Sequence, residues 1–527
     1  MRTRPGLAFV LILAAGPALA QEPLSAIDWL RRNPPRSTSP QIPLGGLRPA
    51  APGAHPGIVP PGEPPVTDGI SAPAIEVTSL DAIPVAVGIV PSTVTGLPAT
   101  LWQGSSTATL TRLVANAPVT RSPAMQSLLY TLMLAEAQPP SDATGRGELT
   151  LAMIDRLIDL GAVEPAEALA RRAGPTRSPE LFQRWFDTSL LTGTEDTACA
   201  TLAANPYLAA DYAPRIYCEA RRGDWPAAAL MLDTAFALGD LDKARAALLD
   251  RFLNADLDDL TPPPSLPVTV DALDFRLYEA IGERLPTQTL PRAFSNADLR
   301  DVAGWKAQVE AAERLARTGA LSANRFLGIY TEREPAASGG VWDRVQAVQR
   351  FETALSTGNA SAIGKTLRPA WDAMRAARTE VTFATLFADR LAGTPPETAA
   401  ARELAWHVRL LSDQYERAAR DAPDTADAAF LAGIATGRPV AQDGDPDLKR
   451  AIAAGFAEDA ALPMQLAALR DRGALGEMVL RSIALYRQGV DGNPEALTDA
   501  LAAFRSVGLE DTARRAALQL MLLEPRS

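Results

Sequence analysis

Histidine and cysteine are almost absent from this chain, with two of each in 527 residues. His55 and His407 lie far apart in sequence, so the material for a zinc site or a Ser–His–Asp triad is missing. Cys199 and Cys218 are not spaced as a CxxC redox pair, and no G-x-S-x-G elbow occurs. Lysine is scarce too: only Lys243, Lys306, Lys365 and Lys449 occur, and arginine carries the rest of the basic charge. Acidic residues outnumber basic ones, 62 to 51, for a net charge of −11. That balance excludes the clustered positive charge that nucleic acid or an anionic lipid surface requires. Beyond the first twenty residues no apolar run approaches the roughly 20 residues a membrane-spanning helix needs.

Two segments imitate ligand loops and fail on spacing. Gly358 to Thr366 places five residues between its glycines where a phosphate-binding loop needs four, and the preceding FETALST is helical in pattern. Asp443, Asp445 and Asp447 alternate like a calcium loop, but Leu448 and Ala454 stand where an EF-hand needs Gly and Glu. Asp445-Pro446 reads instead as a helix start, with Asp445 as N-cap. No cofactor and no metal is expected.

The first twenty residues have the form of an export signal. Arg2 and Arg4 precede an apolar stretch from Leu7 to Ala15, and Ala18-Leu19-Ala20 is a small-x-small cleavage site. Cleavage after Ala20 leaves Gln21 at the mature N-terminus and moves the net charge from −11 to −13. The expected location is periplasmic. In such an oxidising compartment Cys199 and Cys218 read as a disulfide closing a loop of roughly 18 residues, a contribution on the order of 3 kcal/mol. Reactive thiols are the alternative.

From 21 to 74 the chain is crowded with Pro and Gly and reads as a disordered tether. It carries one apolar island at 24–30, where Ile27, Trp29 and Leu30 form a candidate docking peptide. Residues 75–101 are β-branched and broken by Pro84, Pro91 and Pro98, an extended pattern without strand partners. From Trp102 onward the period is helical. Leu151, Ile154, Ile158 and Gly161 share one helical face; Ala166, Leu169, Ala170 and Ala173 share the next. Helices end at Gly161, Gly193, Gly223, Gly239, Gly319, Gly358, Gly473 and Gly508, each followed within a few residues by another Ala-rich helix. Pro262 to Pro264 interrupt the pattern, either as a boundary between helical blocks at 102–260 and 270–527 or as a long loop between two helices.

Arg222-Gly223-Asp224-Trp225-Pro226 before AAALML is similar to the second half of a tetratricopeptide repeat, where a Gly-Asp-aromatic turn opens a helix rich in Ala and Leu. The resemblance covers individual joints between Leu151 and Leu523. It implies an all-α chain, a right-handed α-solenoid of helical hairpins with a concave binding face. One joint is atypical: Tyr330 to Trp342 is long, Gly-rich and rimmed by charges and aromatics. Tyr330, Glu332, Arg333, Ser338 and Trp342 make it the candidate recognition loop.

These features point to a non-catalytic scaffold that binds an envelope protein. A superhelical lytic transglycosylase is the enzymatic alternative, but the chain has no Glu-Ser pair of the kind those enzymes use. A glycan or small-molecule module is the other alternative, with Trp102, Trp185, Trp225, Trp305, Trp342, Trp371 and Trp406 able to stack on sugars. Their spread along the helices fits core packing better.

Overall fold

All eight glycines that end helices in the sequence pattern adopt left-handed backbone, with φ between 64° and 87°. At seven of them the next residue sends its N–H back five positions, as Ala162 N does to Leu157 O and Ala320 N to Leu315 O. This closes each helix in a Schellman-type turn and turns the chain into the following helix. The starts are equally local: Ser106, Ser178, Asp224, Asn359 and Asn493 each accept a backbone N–H from the first turn. Each such cap contributes about 1 kcal/mol. At the start near Asp445 the structure corrects the expected cap. Pro446 precedes helix Asp447–Gly455, and Asp445 Oδ2 instead accepts from Gln442 N at 2.7 Å.

The computed structural model describes residues 88–254 and 265–523. Within them the chain is all-α, with 25 α-helices and no strand. The expected signal, tether and docking island lie outside the described residues, as do Pro262 to Pro264. The described part of the extended segment makes one bridge, Val90 to Ala135, and then a single helical turn at Ser92–Thr95. No described helix is long and apolar enough to cross a membrane.

Helices consecutive in sequence pack side by side as hairpins, as Val341–Ser356 does with Ala360–Ala377 and Leu475–Val490 with Pro494–Ser506. Their inward faces merge into one apolar cluster running from Val90 to Leu518. The packing also returns on itself. Helix Glu510–Leu522 lies against Pro123–Leu134, and the buried Gln519 Oε1 accepts Ala124 N at 2.8 Å. Helix Leu475–Val490 lies against Thr107–Ala115, with Gly476 N donating to Leu101 O at 2.9 Å. A Cβ on Gly476 would sit 2.6 Å from the Trp102 ring, so only glycine permits this approach.

A second long-range junction ties the middle of the chain to its first helices. The carbonyls of Asp159, Leu160 and Gly161, at the end of helix Glu148–Asp159, accept from Arg292 Nη1 (3.3 Å), Thr318 Oγ1 (2.7 Å) and Asn296 Nδ2 (2.9 Å). Helix C-terminal carbonyls have no partner within the helix, so these three side chains complete it. A Cβ on Gly161 would meet Leu315 Cδ2 at 2.6 Å. Gly161→Ala therefore combines a left-handed backbone cost of about 1–2 kcal/mol with overpacking of similar size. Gly223→Ala, with nothing within 4 Å, carries only the backbone cost. Thr318→Val strips a buried carbonyl of its donor and is expected to cost about 1–3 kcal/mol. Urea denaturation of the three variants checks this order; equal losses at Gly161 and Gly223 would refute the junction's role.

Candidate functional site

After helix Pro123–Leu134 the chain cannot continue helically, because Pro139 and Pro140 follow within six residues. It makes a loop that ends at Gly147, whose left-handed backbone (φ 68°) opens helix Glu148–Asp159 without a side-chain cap. Asp142 fixes the loop from below, accepting Thr107 Oγ1 at 2.7 Å and Thr107 N at 2.9 Å. Those hydrogen bonds hold its carboxyl below the usual carboxylate range. Thr144 Oγ1 donates to Glu148 Oε1 at 2.7 Å across the loop. Facing this loop, Ser178 caps helix Pro179–Thr192 by accepting Leu181 N.

Between the two walls lies a cleft of about 90 Å³. Its floor is apolar, made by Trp102, Leu149, Met153 and Leu181. Arg146 and Arg177 stand exposed at the rim, each one residue before the N-cap of a cleft-lining helix. Neither makes an ion pair with the described residues. The second carboxylate oxygen of Glu148 is buried there with no hydrogen-bond partner. Such a concave apolar site with a few placed polar groups is the usual form of a ligand pocket. Sequence reasoning passed over it; its traces were the Pro139-Pro140 break and the pair of Arg residues preceding Glu-Leu helix starts.

A second surface feature is an outward helix. Trp225–Leu238 packs on Ala213–Arg221 and Lys243–Leu253 through the buried Ala228, Leu232 and Ala235. Its other side leaves Trp225, Leu230, Phe236 and Leu238 exposed by 47%, 67%, 51% and 66%. Only Asp233 and Thr234 interrupt that side with polar atoms within the helix. Core packing was expected for all seven tryptophans, and Trp225 departs from it. Trp102, Trp185, Trp305, Trp371 and Trp406 are buried, and Trp342 is half-buried.

The candidate recognition loop divides by residue type. Tyr330 is fully buried, stacked on Phe326 with centroids 4.4 Å apart, and its hydroxyl donates to the buried Glu313 at 2.7 Å. Trp342 packs on Trp305 at 4.7 Å. Gln349 Nε2 donates to the carbonyls of Tyr330 and Arg333, fastening the loop from behind. Glu332, Arg333 and Ser338 are exposed, and Glu332 and Arg333 pair with each other at 2.9 Å. The aromatics thus anchor the loop, and its polar residues face solvent together with Ala336 and Ala337. Ile27, Trp29 and Leu30 of the candidate docking peptide lie outside the described residues.

Cys199 and Cys218 are bonded at an S–S distance of 2.00 Å and are buried, linking helices Asp196–Ala204 and Ala213–Arg221. His407 is half-buried beside Trp406, and burial lowers its pKa. Among the described residues no group of three or more His, Cys, Asp or Glu could hold a metal ion. Comparison with protein-family models, curated proteins and solved structures finds no match for this chain.

Acidic groups gather where helix Pro179–Thr192 meets Ala272–Ala280. Arg245 donates to both Asp271 and Asp274. Asp187 is pushed up to about 7, first by burial and then by the nearby Asp271 carboxylate, with Gln183 Nε2 donating to it at 2.9 Å. A folded carboxyl with a raised pKa keeps a proton that the unfolded chain has lost. Its contribution to stability therefore falls as pH rises from about 4, the unfolded value, to about 7. Asp187→Asn removes this dependence. The variant's melting temperature relative to wild type should rise across that window; a difference that stays flat with pH would refute the assignment.

Proposed function

We propose that this chain is a non-catalytic periplasmic scaffold that holds a protein partner of the cell envelope. In this reading its hairpins stack as a right-handed α-solenoid whose two ends meet, presenting a rigid helical-repeat surface. The observation that carries the reading is the outward face of helix Trp225–Leu238. Four large apolar side chains stand in solvent on one rigid helix, tied to its neighbours by the adjacent disulfide-linked hairpin. Large apolar side chains left in solvent on one helix are candidates for association, and buried aromatics dominate the energetics of such interfaces. The acidic balance of the chain favours a partner with a basic rim around its contact patch. The export signal read at residues 1–20 supports the compartment.

Photocrosslinking residues introduced at Leu230 and at Phe236 test this in cells of the source organism. The expected result is a discrete adduct with one envelope protein, absent from a control placed at the exposed Met464. The pair Leu230→Asp with Phe236→Asp should abolish it without lowering the melting temperature, since both side chains are already exposed. Adducts containing only a second copy of this chain, or identical adducts at Met464, would refute the partner reading. Intact mass of the protein in osmotic-shock fluid should correspond to a chain starting at Gln21; a full-length cytoplasmic chain would refute the location.

A further inference from the structure

We infer that residues 24–32 of this same chain cover the outward side of helix Trp225–Leu238 and shield it until another molecule displaces them. The inference goes beyond the partner reading above and does not require it, because the cover forms within a single chain. The helix offers two chemistries side by side. Trp225, Leu230, Phe236 and Leu238 are exposed apolar side chains, and Trp225 is braced by Phe252, with ring centroids 5.9 Å apart. Asp224, Asp233 and Asp240 stand exposed on or beside the same helix, and none of them makes an ion pair with the described residues. Just past the C-terminal end of the helix lies a cleft of about 290 Å³ lined by Asp211, Asp240, Asp242 and Asp274. The cation in its wall, Arg245, is already held by Asp271 and Asp274. An occupant of this surface must therefore bring bulky apolar side chains followed closely by positive charge.

Residues 24–32, which lie outside the described residues, carry that combination. Leu24, Ile27, Trp29 and Leu30 are followed at once by Arg31 and Arg32. Between 21 and 87, Trp29 is the sole aromatic residue and Arg31-Arg32 the sole pair of adjacent basic residues. Length permits the contact. The 55 residues from 33 to 87 join this segment to Gly88, where the described chain begins. Fully extended they would span ~180 Å, whereas a folded body of this size has a radius of gyration of ~24 Å. Tethering also raises the local concentration of the segment toward the millimolar range, so a contact of modest intrinsic affinity keeps the face covered. A second copy of this chain answers the surface less well, because apposing two such faces sets acidic side chains against acidic side chains. A neutral apolar molecule leaves the aspartates without a counter-charge.

The test uses the purified chain beginning at Gln21, with a photocrosslinking residue in place of Leu230 and, as control, in place of the exposed Met464. Illumination at low protein concentration, followed by tryptic mass mapping, should join position 230 to a peptide from residues 21–36 within one monomer. Position 464 should give no such product. A labelled synthetic peptide of residues 24–36, added to the chain lacking 21–32, should bind by fluorescence anisotropy. Arg31→Glu with Arg32→Glu in that peptide should weaken binding about tenfold or more. Leu230→Asp with Phe236→Asp in the protein should abolish it, with circular dichroism confirming that the helices are retained. No product at position 230, a product with any other segment, adducts only between two copies, or peptide binding unchanged by either pair of substitutions would each overturn the inference. An adduct with an envelope protein in cells, without the intramolecular product, sinks the cover and leaves the partner reading standing; the reverse result does the opposite.

Discussion

Three successive carbonyls at the end of one helix, those of Asp159, Leu160 and Gly161, tie the middle of the described chain to its first helices. Their donors, Arg292, Thr318 and Asn296, come from more than 130 residues further on. A helix end buried without partners would carry several unsatisfied acceptors, each costly in an apolar setting. Here the cost is removed by side chains that are themselves fixed by tertiary structure, so helix Glu148–Asp159 and the 292–318 segment stabilise each other. Around this junction the arginines serve the same purpose: Arg314 donates to the carbonyls of Thr287 and Leu290, and Arg317 to that of Ala377. Positive side chains at helix ends and loop carbonyls compensate the negative pole of the backbone.

The return of the last helix onto Pro123–Leu134 changes what a repeat pattern alone would imply. In a linear stack each hairpin contacts its neighbours only, and stability is close to a sum of nearest-neighbour terms. Here Gln519 and Ala124, and Gly476 and Leu101, add contacts between sequence extremes. Loss of the last helix would therefore uncover part of helix Pro123–Leu134 near the start as well as its own neighbours. The buried carboxylates follow the same economy. Glu195 is shared by Tyr217 and Arg276, Glu313 by Tyr330 and Arg344, and Glu477 by Arg472 and Arg481. Removing one partner of such a group strands a buried charge, which is far costlier than the pair itself is stabilising.

Local chemistry was legible in the sequence and long-range chemistry was not. Glycine after an amphipathic run has a steric reason to be left-handed, and every joint read this way is left-handed. The all-α character follows from the same periodicity. Nothing local, however, announces that Thr318 will serve Leu160 or that Gly476 must admit the Trp102 ring, because those needs arise from packing between distant segments. The Tyr330–Trp342 joint shows the limit in another form. Its composition marks a loop, but Tyr330 and Trp342 are spent on anchoring it. The cleft escaped notice because its floor residues, read singly, look like core. The Trp225 helix escaped because an evenly apolar helix reads as buried, and only three of its residues are.

The two surfaces suited to recognition both belong to the first half of the described chain. The cleft is built between Trp102 and Leu181, and the apolar helix face lies at 225–238. The segment from Asp271 to Thr318 meets them at their supports: Arg276 on Glu195, Asp271 and Asp274 on Arg245, Arg292 and Thr318 on the helix that forms the cleft wall. A bare apolar face on a mobile hairpin would collapse onto its own core or onto other copies. Its two neighbouring helices are themselves fixed, Ala213–Arg221 by a buried disulfide and Lys243–Leu253 by the Arg245–Asp274 ion pair, and Asp224, Asp233 and Asp240 disfavour close approach of a second acidic chain. The larger part of the sequence is thus explained by the need to keep a small part of the surface exposed and in place.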